Sequence, residues 1–193
     1  EGSFDDAQTG VKKLFADTGL AEKLHMHQQK FSSANSINWG RLAPQIAYYW
    51  SAYADLLNAE IIKEGELVNF SVPTGNFGNI LAAYYAGQMG LPVNRLICAS
   101  NENNILTDFI NTGVYDLRRD FYLTNSPSMD ILISSNLERL LFHLSGNDGA
   151  LVGNLMEQME KKKVYQVTPA MKKALAPFYG GFADMKDTNE TIG

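Results

Sequence analysis

Hydrophobic and polar residues alternate along the chain in short blocks with different spacings. Helical spacing from Phe4 to Phe15 predicts a first helix, and apolar residues at helical intervals from Trp39 to Leu57 predict a long helix with one buried face. Between them, residues 24–32 alternate in a way that predicts a strand, although their polar composition makes the pattern weak. These blocks indicate a mixed fold.

Two strand–loop–helix units follow in direct succession. Leu67 to Val72 predicts a buried strand, which leads through a glycine-containing loop into a helix from Ile80 to Met89. Arg95 to Ala99 predicts the next strand, and Ile105 to Ile110 the next helix. Because a strand that returns in the same direction needs a crossover helix, the two strands are expected to be parallel. The fold class predicted is α/β, a parallel sheet with flanking helices in three layers.

The chain contains no linker or internal repeat that divides it, so residues 1–193 are expected to form a single α/β region. From about residue 135 onward the pattern becomes helical. Leucine and methionine stripes there are typical of core packing, in residues 137–144, 151–159 and 171–176.

Composition narrows the function classes. The 193 residues carry 16 Lys+Arg and 21 Asp+Glu, a net charge of -5, and 45% of them are hydrophobic, which excludes a disordered tail and argues against nucleic-acid partners. No apolar run is long enough for a membrane helix, and one cysteine, Cys98, forms no internal disulfide, so we expect a cytoplasmic protein that does not bind membranes. Cys98 is expected to be buried. The three histidines lack metal-ligand spacing, so no metal site is expected.

The strongest chemical signal is the loop Gly75, Asn76, Phe77, Gly78, Asn79 between a predicted strand and a predicted helix. Glycines allow positive φ and close approach of the backbone to an anion, and free N–H groups at a helix start attract negative charge. Asn79 is also a natural helix cap. The spacing matches neither nucleotide fingerprint, neither G-x-G-x-x-G nor the P-loop. The loop is therefore either a phosphate site or a plain glycine turn.

A second polar segment, Asn35 to Arg41, precedes the predicted long helix. Ser36 or Asn38 can cap that helix. Alternatively, Ser36, Asn38 and Arg41 form a second anion site, with two short hydrogen-bonding side chains at a helix start and a guanidinium one turn later.

Several motifs in one order resemble the threonine synthase family, pyridoxal-phosphate enzymes of the tryptophan-synthase-β fold type (fold type II). The resemblance covers most of the chain and rests on Glu1 to Gln8, Asn35 to Leu42, Ser71 to Asn79, Ser100 to Asn103 and Ser126 to Asp130.

The resemblance implies conversion of O-phospho-L-homoserine and water to L-threonine and phosphate, with pyridoxal phosphate as the electron sink. It assigns Gly75, Asn76, Phe77, Gly78 and Asn79 to the cofactor phosphate, Phe77 packing under the loop, and Ser36, Asn38 and Arg41 to the substrate phosphate. The Schiff-base lysine of this family lies on an earlier segment and is not recognisable here. We therefore expect the chain, which begins without methionine, to be an inactive piece of the cofactor-binding domain with no catalytic residue of its own.

Two alternatives remain open at this point. One is a catalytically silent homologue that kept the fold, and the other is a phosphate- or nucleotide-binding α/β module. A nucleotide site of the dinucleotide type needs an acidic residue about 20 positions beyond the loop to bind a ribose, and Glu102 is only roughly so placed. The sequence leaves the oligomeric state open.

Overall fold

The computed structural model describes residues 4–192. Its ten α-helices and five strands follow in chain order. They are α1 (Phe4–Ala16), α2 (Thr18–Met26), α3 (Trp39–Leu42), α4 (Ile46–Asn58), β1 (Val68–Pro73), α5 (Gly78–Gln88), β2 (Val93–Ser100), α6 (Ile105–Thr112), β3 (Val114–Asp116), α7 (Leu137–Leu144), α8 (Gly149–Lys162), β4 (Val164–Gln166), α9 (Pro169–Ala174), β5 (Phe178–Phe182) and α10 (Met185–Ile192). None of these helices is long and apolar enough to cross a membrane.

The main sheet has three strands in the order β1-β2-β5, and both neighbouring pairs are parallel. In its register Phe70 lies beside Leu96, which lies beside Phe178. The predicted α/β class with a parallel sheet and packed helices is confirmed. A second, antiparallel sheet joins β3 to β4.

The helices that contact the sheet lie on one of its faces. Both steps, from β1 to β2 and from β2 to β5, proceed in the same direction across the sheet, and right-handed crossovers then place their helices on the same side. Three contacts mark that face: the Tyr49 ring of α4 on Phe70 at 5.0 Å, the Tyr84 ring of α5 on Phe178 at 5.8 Å, and the backbone of Thr107 in α6 against Gly180. The opposite face exposes Ser71, Pro73 and Tyr179. The described residues therefore supply two of the three expected layers.

The core sits between this covered face and the helices. Helix α5 is its centre, since Ile80, Leu81, Ala82, Ala83 and Ala86 are all fully buried. A helix that is apolar on most sides must be enclosed by protein, and α5 contacts β1, β2, α3, α4 and α7. Burying α5 in this way fixes the position of its first residue relative to the sheet.

Two predicted elements differ from the structure near the N-terminus. The strand predicted for residues 24–32 is wrong: α2 continues to Met26, and its start is capped by the Asp17 carboxylate, which accepts a bond from the Leu20 N–H at 2.9 Å. The long helix predicted from Trp39 to Leu57 is broken into α3, a 3₁₀ turn over residues 43–45, and α4. Pro44 lies in that turn, and proline has no N–H to continue a regular helix.

The portion after residue 135 contains the predicted helices and, in addition, β4 and β5. The sequence pattern did not predict β5, because its sequence, Phe-Tyr-Gly-Gly-Phe, contains two glycines, and glycine is depleted in strands. A Cβ on Gly180 would lie 2.8 Å from the Thr107 carbonyl oxygen, so close packing of α6 requires glycine there.

Candidate anion-binding site

The predicted glycine loop is the turn between β1 and α5. Its last sheet bond runs from the Thr74 N–H to the Ala99 carbonyl at 2.8 Å, and its first helical bond from the Leu81 N–H to the Phe77 carbonyl at 3.1 Å. Between them, the N–H groups of residues 75–80 have no hydrogen-bond acceptor among the described residues. The turn therefore presents a run of free donors at the positive end of α5, where anions bind.

Phe77 makes the sharp change of direction in this turn. Its φ is 63° and its ψ is 2°, a left-handed conformation that few non-glycine residues adopt. The side chain offsets that cost because it is 1% exposed and packs on Phe178 with ring centroids 5.8 Å apart. The prediction that Phe77 packs beneath the loop agrees with this position.

The glycines of the loop do not have the backbone conformation that we predicted for them. We expected them to provide positive φ, but neither Gly75 nor Gly78 has it. They provide room instead: a Cβ on Gly78 would lie 2.4 Å from Ser36 Oγ, and one on Gly75 would lie 3.0 Å from the Ser128 carbonyl oxygen. Glycine is needed because other segments press against the turn.

Close packing at Gly78 brings the two predicted motifs together, since Ser36 belongs to the second one. Ser36 Oγ accepts a 3.0 Å bond from Asn136 Nδ2, while its own hydroxyl proton has no acceptor within residues 4–192. Ser36 can therefore donate to an anion held at the turn.

The other members of the second motif have different environments. Asn38 caps α3, accepting from the Gly40 N–H at 2.9 Å, and its amide nitrogen donates to Ser32 Oγ and the Ser33 carbonyl. The cap reading is thus confirmed for Asn38, while its part in anion binding stays a prediction. Arg41 is exposed, and its guanidinium has no partner in the described part of the chain. Its charge is free for a ligand.

Asn76 and Asn79 differ in what their side chains do. Asn76 Oδ1 is buried and has no hydrogen-bond partner in the described structure, which is costly unless a bound group supplies one. The prediction that Asn79 caps α5 is wrong, because that helix begins after Phe77. Instead, the Tyr49 hydroxyl donates to Asn79 Oδ1 at 2.7 Å and to its carbonyl at 3.0 Å. Burial raises the pKa of Tyr49 above 10.0, so this hydroxyl stays a donor.

Sequence reasoning missed the residues behind the turn. Ser134, Asn136 and Arg139 contact the carbonyls of both motifs, whereas the leucine spacing of residues 137–144 predicts only core packing. The sequence did carry a usable signal, since Ser134-Ser135-Asn136 is a polar run before an apolar helix. In the structure Asn136 is completely buried. Buried polar residues of this kind are seldom without a structural task.

Cavity size does not identify this site. A cavity of about 750 Å³ is lined by residues that include Lys12, Ile37, Tyr85, Arg139 and His143, but by none of residues 75–79. The free amides and the orphaned Asn76 oxygen are the stronger indication of a ligand, because they are polar groups left without partners.

The remaining candidate residues have structural surroundings. Cys98 is buried as predicted, and burial raises the pKa of its thiol to about 11. His25 lies in α2 and His27 at its end, and not in the strand predicted for residues 24–32. His143 Nε2 lies 2.9 Å from the Tyr85 hydroxyl. In the residues that the structure describes, no group of three metal-ligating side chains gathers.

Comparison with known proteins gives relatives that include threonine synthases and a protein named as similar to them. No family model matches the chain. It is 49% identical over 177 residues to threonine synthase-like 1 of Homo sapiens, which covers 91% of this chain and 24% of that protein. It is 46% identical over 157 residues to threonine synthase of Pseudomonas aeruginosa, which covers 81% of this chain and 31% of that protein.

Comparison of the fold with solved structures also gives a threonine synthase. The crystal structure of pyridoxal-phosphate-bound threonine synthase from Brucella melitensis matches with a TM-score of 0.83 and 40% identity, over 100% of this chain and 39% of that one. The chain thus spans between 24% and 39% of the length of these three proteins.

Proposed function

We infer that this chain, a homologue of threonine synthases over most of its residues, is the phosphate-binding part of a pyridoxal-phosphate enzyme. The reaction we propose for the whole enzyme converts O-phospho-L-homoserine and water to L-threonine and phosphate. When bound, the cofactor supplies an electron sink for carbanions of the substrate. The protein's residues bind and orient the two phosphates.

The observation that carries this proposal is the turn before α5. Six consecutive backbone N–H groups, those of residues 75–80, lack acceptors within the described structure at the positive end of a helix of 11 residues. A phosphate dianion is the ligand that such a cradle prefers. The buried Asn76 Oδ1 without a partner, in the same turn, indicates that the site is built around a further polar group.

The substrate phosphate is proposed to bind beside the cofactor phosphate, through Ser36, Asn38 and Arg41. Support comes from the packing of Ser36 on Gly78 and from the unpaired guanidinium of Arg41. Arginine binds phosphate through charged, forked hydrogen bonds, so it can hold the leaving group as its charge develops. Asn38 contributes by fixing the start of α3, one turn before Arg41.

The test uses the full-length protein. We expect it to bind pyridoxal phosphate stoichiometrically by absorbance and to release phosphate and threonine from O-phospho-L-homoserine in equal amounts. Phosphate without threonine would show a different reaction of the same cofactor. No cofactor binding at micromolar concentration would overturn the proposal.

A second candidate, a catalytically silent homologue, is kept for one reason. The human relative is more similar in identity, 49% against 46%, than the Pseudomonas enzyme, and its name states likeness to threonine synthase without stating an activity. Cofactor binding without release of phosphate or threonine would favour this candidate.

A further inference from the structure

We propose that Ser134, Asn136 and Arg139 are positioning residues that aim the free N–H groups of the turn and hold Ser36 against it. The inference rests on the proposed function, in which this turn binds a phosphate. None of the three side chains belongs to the glycine loop or to the Asn35–Arg41 segment. They act on those two segments from behind.

Ser134 and Asn136 fix the direction of two peptide groups in the turn. Ser134 Oγ donates to the Gly75 carbonyl at 2.9 Å. Asn136 donates twice to the Asn76 carbonyl, from its backbone N–H at 3.1 Å and from Nδ2 at 3.0 Å. In a trans peptide the C=O and the following N–H point in opposite directions. Holding these two carbonyls therefore turns the N–H groups of Asn76 and Phe77 away from Ser134 and Asn136, toward the open side of the turn.

Asn136 joins both motifs. It is 0% exposed, and its Nδ2 donates to Ser36 Oγ as well as to the Asn76 carbonyl. Its Oδ1 accepts from Arg139 Nη1. Every polar atom of this buried amide is thereby satisfied, so its orientation is strongly preferred.

Arg139 holds the backbone of the Ser36 segment. Its guanidinium donates to the Ser36 carbonyl at 2.9 Å and to the Ile37 carbonyl at 2.5 Å. It has no acidic partner in the described residues, so its charge also favours an anion nearby. The planar fork suits two carbonyls in a way that a lysine cannot reproduce.

These contacts separate two effects that can be measured independently. Ser134 acts on the turn alone, so Ser134→Ala should weaken pyridoxal phosphate binding roughly 3- to 10-fold, as expected for one lost hydrogen bond to an oriented carbonyl. Arg139 acts directly on the Ser36 segment and on the turn only through Asn136, so Arg139→Lys should weaken binding of inorganic phosphate, a competitor of the substrate, roughly 10- to 100-fold and should weaken cofactor binding by a smaller factor.

Each variant has a matched control elsewhere in the chain. Ser145 donates to the Phe142 carbonyl at 2.7 Å beyond α7, and Arg119 donates to the Asp116 carbonyl at 2.9 Å and to Asn104 and Asp108. Ser145→Ala and Arg119→Lys should change neither the cofactor Kd nor the phosphate Ki by more than about 2-fold.

The experiment measures cofactor Kd by absorbance and phosphate Ki by inhibition, in full-length protein whose thermal unfolding without cofactor shows that each variant folds. Ser134→Ala and Arg139→Lys are the mild changes chosen for that reason. If both behave like their controls, the positioning role is overturned while the proposed function stands. If the wild-type protein itself binds neither pyridoxal phosphate nor inorganic phosphate, the proposed function fails and this inference fails with it.

Discussion

The two polar segments of the site are built in opposite ways. The turn over residues 75–80 offers backbone N–H groups, and it is held by the buried Phe77 ring and by bonds to its carbonyls. The segment over residues 35–41 offers side chains, of which Arg41 is exposed and unpaired in the described structure. Backbone donors that are already oriented suit a group that stays bound, because binding such a group requires no further loss of conformational entropy in the turn. Long side chains suit a group that arrives and leaves.

The largest effect is expected from filling the contact between the two segments. In Gly78→Ala the new Cβ would meet Ser36 Oγ at 2.4 Å and Ser36 Cβ at 2.6 Å, so one segment must move. We expect cofactor affinity to fall by more than about 100-fold, with loss of turnover, and the free energy of unfolding to fall by about 1–3 kcal/mol. Absorbance titration and denaturant unfolding measure the two.

Gly153→Ala is the control for that substitution. Gly153 lies inside α8, and a Cβ added there would have no atom of another segment within 4 Å, so alanine should raise the free energy of unfolding by about 0.5–1 kcal/mol and leave cofactor binding unchanged. Normal cofactor affinity in Gly78→Ala would contradict the close contact of the two segments.

The next largest effect tests the proposal that residues 75–80 bind the cofactor and residues 35–41 bind the substrate. Arg41→Ala should retain the bound-cofactor spectrum while kcat/KM for O-phospho-L-homoserine falls roughly 30- to 1000-fold, because the proposed charged contact to the leaving phosphate is lost. Arg41→Lys should recover only part of that loss, since the fork is missing. Steady-state kinetics decides this prediction, with the exposed Arg118→Ala as control; near-normal turnover in Arg41→Ala would remove Arg41 from the substrate site.

A smaller effect tests whether α4 supports the turn. Tyr49→Phe removes the hydroxyl that donates to Asn79, one residue after Gly78. We expect the free energy of unfolding to fall by about 1 kcal/mol and the cofactor Kd to rise roughly 2- to 5-fold. Tyr48→Phe, at a neighbouring tyrosine that is 62% exposed, should change neither quantity. Equal behaviour of the two variants would show that α4 does not act on the turn.

The smallest effect is expected from an exposed ion pair outside the candidate site, Asp116 with Arg118. Hydrogen bonds from Arg118, two from its guanidinium and one from its backbone N–H, lower the pKa of Asp116 from 3.8 to about 2. A lowered carboxyl pKa contributes stability that is present above about pH 4 and lost as pH falls toward 2. Wild-type protein should therefore lose stability relative to Asp116→Asn over that window, by a small amount that salt reduces because the pair is exposed. Unfolding at pH 5, 4, 3 and 2 measures it, and a constant difference would contradict the assigned cause.

The location of the candidate site could be predicted from the sequence because its signals are local. A buried strand, a loop with two glycines and an apolar helix follow one another within Leu67 to Met89, and the structure has β1, the turn and α5 there. Gly113 ends α6 with a φ of 78°, a conformation that glycine adopts readily, so the end of that helix is also encoded locally. The α/β class followed from the same succession of elements.

Contacts between distant residues decided the rest. Glycine at positions 78 and 180 is explained by Ser36 and by Thr107, which lie far away in the chain, and at position 78 not by the local backbone angle that we expected. Likewise, Ser134, Asn136 and Arg139 reach carbonyls about 60 and 100 residues away, which no spacing pattern encodes. Periodicity determined which faces are buried, since burial follows repeats of 2 or 3.6 residues. Only the folded chain determined which backbone groups remain free, because that depends on every segment packed around the turn.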